Sequence, residues 1–170
     1  EGFIGDHMLS GHEDEISASM LYAENYAPVR HCGFCFTDRF GFPFGFSPDN
    51  LVGDDGFIET KSRLPKYQVQ SILDHLAPEE PEAPIPLEYM IQIQSGLLVT
   101  GRKWCDFLSY CGGFPMIRVR VFPDPDLQDK IIEVGKMIEA TIQKHIERYE
   151  AAIENNPNAI PTKRVVEQQM

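Results

Sequence analysis

The chain has no apolar run approaching the ~20 residues that a membrane-spanning helix needs. Its N-terminus has no basic-then-apolar leader, and its first residue is Glu1 rather than Met, which leaves room for upstream sequence. Cysteine is sparse, with four in 170 residues, and a chain of this length buries a core without staples. Basic residues are also few: 15 Lys and Arg against 26 Asp and Glu, for a net charge of −11. That balance excludes a generic nucleic-acid coat but not an enzyme with a local basic groove. Arg102, Lys103, Arg118 and Arg120 have only Asp106 as an acid among them, whereas Asp74, Glu79, Glu80, Glu82 and Glu88 concentrate acid elsewhere. No internal repeat and no second core are visible. A composition of 42% apolar and 24% charged residues is that of a soluble globular protein.

Cys32-Gly-Phe-Cys35 invites a zinc reading, which Cys105 and Cys111 could complete. The first pair falls in a segment that reads as a strand, where residues three apart face opposite ways. The second pair lacks the spacing of a zinc knuckle. Buried free thiols in a reducing compartment are therefore the preferred reading.

Along the chain, Gly11 to Asn25 reads as a helix with Ala18, Leu21 and Tyr22 on one side, ended by Pro28. Val29 to Thr37 reads as a strand, Asp38 to Gly41 as a turn, and Phe42 to Val52 as a second strand broken by Gly45 and Pro48. Gly56 to Lys61 makes a third strand and Tyr67 to Leu76 a short helix. The acidic, proline-rich "APEEPEAPIP" follows as a loop. Leu87 to Thr100 is a helix that packs through Tyr89 or Met90, Ile93, Leu97 and Leu98. Trp104 to Tyr110 and Met116 to Phe122 are strands. From Asp126 to Ala152 a helical stripe runs through Leu127, Ile131, Val134, Ile138, Ile142, Ile146 and Tyr149. The expected fold is a mixed α/β domain around a small central sheet, covering residues 1–154 and followed by a mobile tail, 155–170. Phe34, Phe36, Phe40, Phe42 and Phe44 read as sheet core, and so do Trp104 and Phe107. His31, His75 and His145 have no paired spacing and are given no chemistry.

One stretch, "SPDNLVGDDGFIETK" from Ser47 to Lys61, concentrates chemistry. Asp54-Asp55-Gly56 suits a three-residue hairpin loop with Gly56 left-handed. In that register Leu51 faces Glu59 and Asp49 faces Lys61, so Asp49, Glu59 and Lys61 project from one face. Two carboxylates that close repel unless a cation lies between them, and hard oxygen ligands suit Mg²⁺. On spacing alone the pattern is weak, and a surface hairpin with Glu59 and Lys61 solvated and Asp49 capping a turn is the better reading.

The flanks add to this. Pro48-Asp49 … Glu59-Thr60-Lys61 resembles the PD-(D/E)xK nuclease core, and the whole stretch is similar to the S-P-D-G-L-V … G-L-I-E-I-K segment of the phage lambda exonuclease and YqaJ-like viral recombinase family. "GHEDEISASMLY" resembles that family's G-x-x-x-E-x-x-A helix. "YMIQIQSGLLVTGRKWCDFLSY" resembles its Y-x-x-Q-V-Q-x-x-L-x-V-T-G-R-x-W-C-D-F segment. The matches are in order and span roughly Gly11 to Phe122. Asn50 stands where the family has Gly, and Ser62 where a Cys often follows the Lys. The family's N-terminal helix, with an arginine that meets the DNA 5′-phosphate, has no counterpart within this sequence.

The resemblance implies a restriction-endonuclease-like core and an Mg²⁺-dependent exonuclease, with Mn²⁺ able to substitute. It implies that Asp49, Glu59 and the Thr60 carbonyl hold metal, and that Lys61 and Gln92 orient the attacking water. Glu15, which by residue type alone reads as a solvated helix acid beside Glu13 and Asp14, becomes the third acid of the site. The implied activity digests the 5′-ended strand of duplex DNA and leaves a 3′ overhang for a single-strand annealing protein. It also implies a homotrimeric ring around DNA, no membrane, and a cytoplasmic setting in a bacterium or phage-infected cell. The rival readings are a non-catalytic binding homologue and an endonuclease of the same superfamily.

Overall fold

A computed structural model describes residues 6–76 and 85–163. The chain opens with helix α1 (Asp6–Asn25) and passes through β1 (Val29–Arg30), β2 (Cys35–Thr37), β3 (Phe44–Phe46), β4 (Asn50–Val52) and β5 (Gly56–Ser62). Helices α2 (Pro65–Leu76) and α3 (Leu87–Thr100) follow, then β6 (Trp104–Tyr110), β7 (Ile117–Val121) and the long helix α4 (Pro125–Ile153). The five-stranded sheet has the order β1-β4-β5-β6-β7, and β2 pairs β3 in a separate ribbon. Among the described strands only β5 and β6 pair in parallel, and their connection carries α2 and α3. The acidic loop expected after Leu76 falls mostly on 77–84, outside the described residues.

The strand expected over Val29 to Thr37 is two short strands in different sheets. The backbone leaves β1 at His31, and Cys35 begins a ribbon paired to Phe46. Phe42 to Val52 likewise divides at Ser47-Pro48, because proline offers no N–H to a ladder. The ribbon explains why two expected core aromatics are not core. Phe34 and Phe36 are 72% and 61% exposed, while Phe42 is buried against Gly135 of α4. A Cβ at Gly135 would lie 2.3 Å from the Phe42 ring, so glycine sets that approach.

The parallel pairing of Glu59 with Phe107 sorts the sheet into two faces. On one, Leu51, Phe57, Cys105 and Phe107 pack under α3 through Ile93 and Leu97. On the other, Val52, Ile58 and Leu108 pack under α1 through Ala18 and Tyr22. Glycine at Gly96 lets α3 come close, since a Cβ there would meet Phe46 and Phe57 at 2.6 and 2.8 Å. Gln94, buried within α3, accepts the Asp124 N–H and donates to the Phe122 carbonyl, which anchors the start of α4. The stripe read along α4 is helical but only partly covered: Ile142, Ile146 and Tyr149 remain 45%, 42% and 64% exposed.

The second face is closed by a buried ionic knot. Asp106 is wholly buried and accepts from Arg120 Nε and Nη2 at 2.8 Å each, from Arg118 at 3.2 Å and from the Tyr22 hydroxyl at 2.6 Å. Burial alone would raise its pKa, but the hydrogen bonds from Arg120 and Tyr22 outweigh that and hold it below the usual carboxylate range. The Arg120 guanidinium also stacks 3.7 Å over Trp104. Arg102 donates to the Gly53 and Gly56 carbonyls, and Lys103 pairs with Asp55. The four basic residues that suggested a groove are thus engaged within the fold.

Candidate metal and phosphodiester site

The β4–β5 hairpin pairs Asn50 with Ile58, Leu51 with Phe57 and Val52 with Gly56. The loop is Gly53-Asp54-Asp55, one position earlier than the spacing predicts. Gly53, not Gly56, takes the left-handed backbone, at φ 52°. Gly56 is required for another reason: a Cβ there would lie 2.2 Å from the Trp104 indole. Because the loop still has three residues, the parity is unchanged. Asp49 lies one residue beyond the ladder, and continuing the register sets it against Glu59 rather than Lys61.

Asp49 is drawn onto β5 by the Thr60 N–H, which donates to its Oδ2 at 2.6 Å. Two residues apart on one strand face, Glu59 and Lys61 pair at 2.7 Å. From α3, Gln92 closes the group: its Nε2 donates to Glu59 Oε1 at 2.6 Å, and its Oε1 accepts Lys61 Nζ at 2.7 Å. All this leaves Glu59 Oε2 buried without a hydrogen-bond partner among the described residues. An orphaned carboxylate oxygen in a buried site calls for a proton, a cation or an ordered water.

The electrostatics agree. Burial first, then the Glu59 charge, pushes Asp49 up to about 7 against the pull of the Thr60 N–H, with Glu15 adding a smaller push. Glu59 is raised as well, chiefly by burial, although Lys61 opposes the shift. Both carboxylates therefore resist ionisation, and a cation beside them would favour their charged forms.

Glu15 comes from α1 and lines a cleft of about 320 Å³ with Ser19, His12, His31, Asp49 and Asn50. It is near enough to raise both carboxylates. Among the described residues, however, no three His, Cys, Asp or Glu side chains are arranged to hold a metal. The donors drawn together are Asp49 and Glu59, with Glu15 at the cleft wall. His12 and His31 also line this cleft: His12 comes from α1, one turn before Glu15, and His31 follows β1. Asn50, where the family has Gly, donates to Ser19 Oγ at 2.9 Å and ties the hairpin to α1. Cys32 and Cys35 do not face apart: the chain between β1 and β2 is irregular and their sulfurs lie 3.6 Å from each other. Cys105 and Cys111 are buried elsewhere, and all four thiols are free.

Glu59 Oε2 without a partner and two carboxylates resisting ionisation suit a hard divalent cation. Asp49 and Glu59 would hold it, with the Thr60 carbonyl as a further oxygen.

Known proteins share this arrangement of elements. The structure of an alkaline exonuclease, LHK-Exo, from Laribacter hongkongensis superposes with a TM-score of 0.78 at 29% identity, covering 90% of this chain and 77% of that one. The same enzyme in complex with dAMP matches at 0.78 and 28%, covering 91% and 77%. SSO0001 shares the fold alone, at a TM-score of 0.52 and 10% identity over 82% of this chain and 61% of that one. A comparison with curated proteins by sequence gives no match. The profile of the YqaJ-like viral recombinase domain matches residues 4–103, more than half of the sequence. The chain belongs to the YqaJ-like viral recombinase family.

Proposed function

We propose that this chain is an Mg²⁺-dependent deoxyribonuclease that digests the 5′-ended strand of duplex DNA and leaves 3′ single-stranded overhangs. The observation that carries the reading is the group Asp49, Glu59, Lys61 and Gln92, with Glu59 Oε2 left unpartnered, on a fold shared with an alkaline exonuclease. When bound, Mg²⁺ (or Mn²⁺) supplies positive charge to the reacting phosphate and makes a water at the site easier to deprotonate. Asp49 and Glu59 fix the place of that charge. Lys61, held by Glu59 and Gln92, has its ammonium positioned to hydrogen-bond the incoming water or a nonbridging phosphate oxygen. Gln92 offers an amide N–H and a carbonyl, and orients a water as donor and acceptor. Glu15 tunes the pair through its charge.

The nuclease unit comprises residues 1–154, works on double-stranded DNA ends, and hands its product to a single-strand annealing protein. A homotrimeric ring would put DNA inside an acidic shell, and the exposed stripe on α4 is surface that assembly would cover. The working site is cytoplasmic, in a bacterium or phage-infected cell; no helix among the described residues is long and apolar enough to cross a membrane. Incubation with Mg²⁺ of linear duplex and of supercoiled plasmid tests the reading. Loss of the linear duplex with the circle intact is expected. Cutting of the circle would make the protein an endonuclease, and cutting of neither would make it a binding homologue.

A further inference from the structure

Beside the carboxylate pair lies a cleft that this reading leaves unused. Strand β5 carries Lys61 into the site, and its ladder continues one bond further, with the Arg63 N–H on the Tyr110 carbonyl at 2.7 Å. Arg63 is two residues beyond Lys61, about 6.6 Å further along an extended strand and on the same side of it. There a cleft of about 510 Å³ opens, lined by Arg63, Leu64, Tyr67, Pro86, Glu88 and Tyr89 together with Ser62. The guanidinium stands 5.3 Å from the Tyr89 ring centre and 5.5 Å from that of Tyr67. It donates to the Tyr89 hydroxyl at 3.1 Å, while its Nε is buried and has no partner among the described residues. Unlike Arg118 and Arg120, it pairs with no carboxylate among the described residues; Glu88 at the rim is exposed to water. Tyr89 joins the two places, because the Lys61 ammonium lies 5.2 Å from its ring.

We propose that this cleft is a nucleotide-strand subsite, in which Arg63 holds the backbone phosphate next to the scissile one and Tyr67 stacks a base. The assignment rests on the nuclease reading for the position of the scissile phosphate. A guanidinium with free N–H groups matches a phosphate in charge and geometry. The step from Lys61 to Arg63 is comparable with the step between neighbouring phosphates of an extended strand. Tyr67 is 48% exposed, with the exposed Lys66 side chain over its ring at 4.7 Å, and a base stacking there would take the place of that ammonium, leaving it beside the strand as a further positive charge.

The test is fluorescence anisotropy of a labelled oligo-dT on the whole chain in Ca²⁺, across a salt series. Arg63→Met should weaken binding about tenfold and flatten the log–log salt dependence by about 0.7, the value for one phosphate contact on a single strand. Arg63→Lys should restore the slope while recovering only part of the affinity. Tyr67→Ala, at an exposed ring, should weaken binding about tenfold with the slope unchanged, and it stands as the test should Arg63→Met fail to fold. Wild-type affinity and slope in Arg63→Met, or weakening with an unchanged slope, would overturn the phosphate assignment and leave Arg63 as packing for the two tyrosines. Wild-type binding by Tyr67→Ala would overturn the stacking. The two readings separate cleanly. A wild-type protein that never cuts DNA yet shows these slope changes keeps the subsite and loses the nuclease. One that cuts, with Arg63→Met binding as wild type, keeps the nuclease and loses the subsite.

Discussion

Lys61 donates to Glu59 Oε1 at 2.7 Å from two positions further along the same strand. The bond follows from the period of a β-strand, which returns every second side chain to one face. It engages one oxygen of Glu59 and leaves the other buried and bare. That asymmetry underlies the predictions about the site.

Without metal, the protein should lose stability as pH rises from about 4 past 7. Asp49 is pushed up to about 7 and Glu59 is raised, so the folded state keeps protons that the unfolded chain releases over that window. Unfolding free energy then falls with pH. Thermal melts in EDTA at pH 5, 6, 7 and 8 should show the decline, and Asp49→Asn should flatten most of it. Added Mg²⁺ should stabilise more at pH 8 than at pH 5. A wild-type decline that Asp49→Asn leaves unchanged would assign it to the net charge of −11 instead.

The Asp106 knot should behave in the opposite sense. Its lowered pKa means that its stabilisation is present above the ordinary carboxylate range and is lost as pH falls through the folded value. Asp106→Ala should destabilise by about 2–3 kcal/mol, below the range for a fully buried pair because Arg118 and Arg120 reach water. Tyr22→Phe should cost about 1–2 kcal/mol by removing one bond to a buried charge. Urea denaturation measures both, and a neutral Asp106→Ala would refute the account of the second face.

Two hairpin glycines should fail for different reasons. Gly53→Ala strains a left-handed residue and should cost about 1 kcal/mol. Gly56→Ala drives a methyl into the Trp104 indole and should cost about 1–3 kcal/mol. Adding Trp104→Leu should relieve the second but not the first, as read from denaturation midpoints.

Much of this was legible in the sequence where chemistry is local. The 3.6-residue period marks α3 to the residue, and the three-residue loop puts Asp49 and Glu59 on one face. The loop position is not legible there, because Gly56 looks like a turn glycine whereas its reason is an indole brought by β6 from nearly fifty residues away. The exposure of Phe34 and Phe36 is hidden for a related reason: aromatic residues mark a strand, but not which sheet it joins or whether its outer face is covered. The engagement of Arg118 and Arg120 by Asp106 depends on β6–β7 register, which no short window contains. His31 reaches the cleft by tertiary placement, whereas His12 shares the helix face of Glu15.

The most direct measurement is the single-turnover cleavage of linear duplex in Mg²⁺ by wild-type protein and Lys61→Ala, with duplex affinity in Ca²⁺ alongside. On the proposed reading Lys61 contributes a positioned charge, and its removal should lower the rate by ~10²-fold or more while leaving the fold and Mg²⁺ binding largely intact. Affinity in Ca²⁺ should change little, since one such contact is worth only ~1 kcal/mol. Asp49→Ala should abolish metal binding and cleavage together. Cleavage by Lys61→Ala at the wild-type rate would contradict the account, and would make the pair with Glu59 a structural contact only.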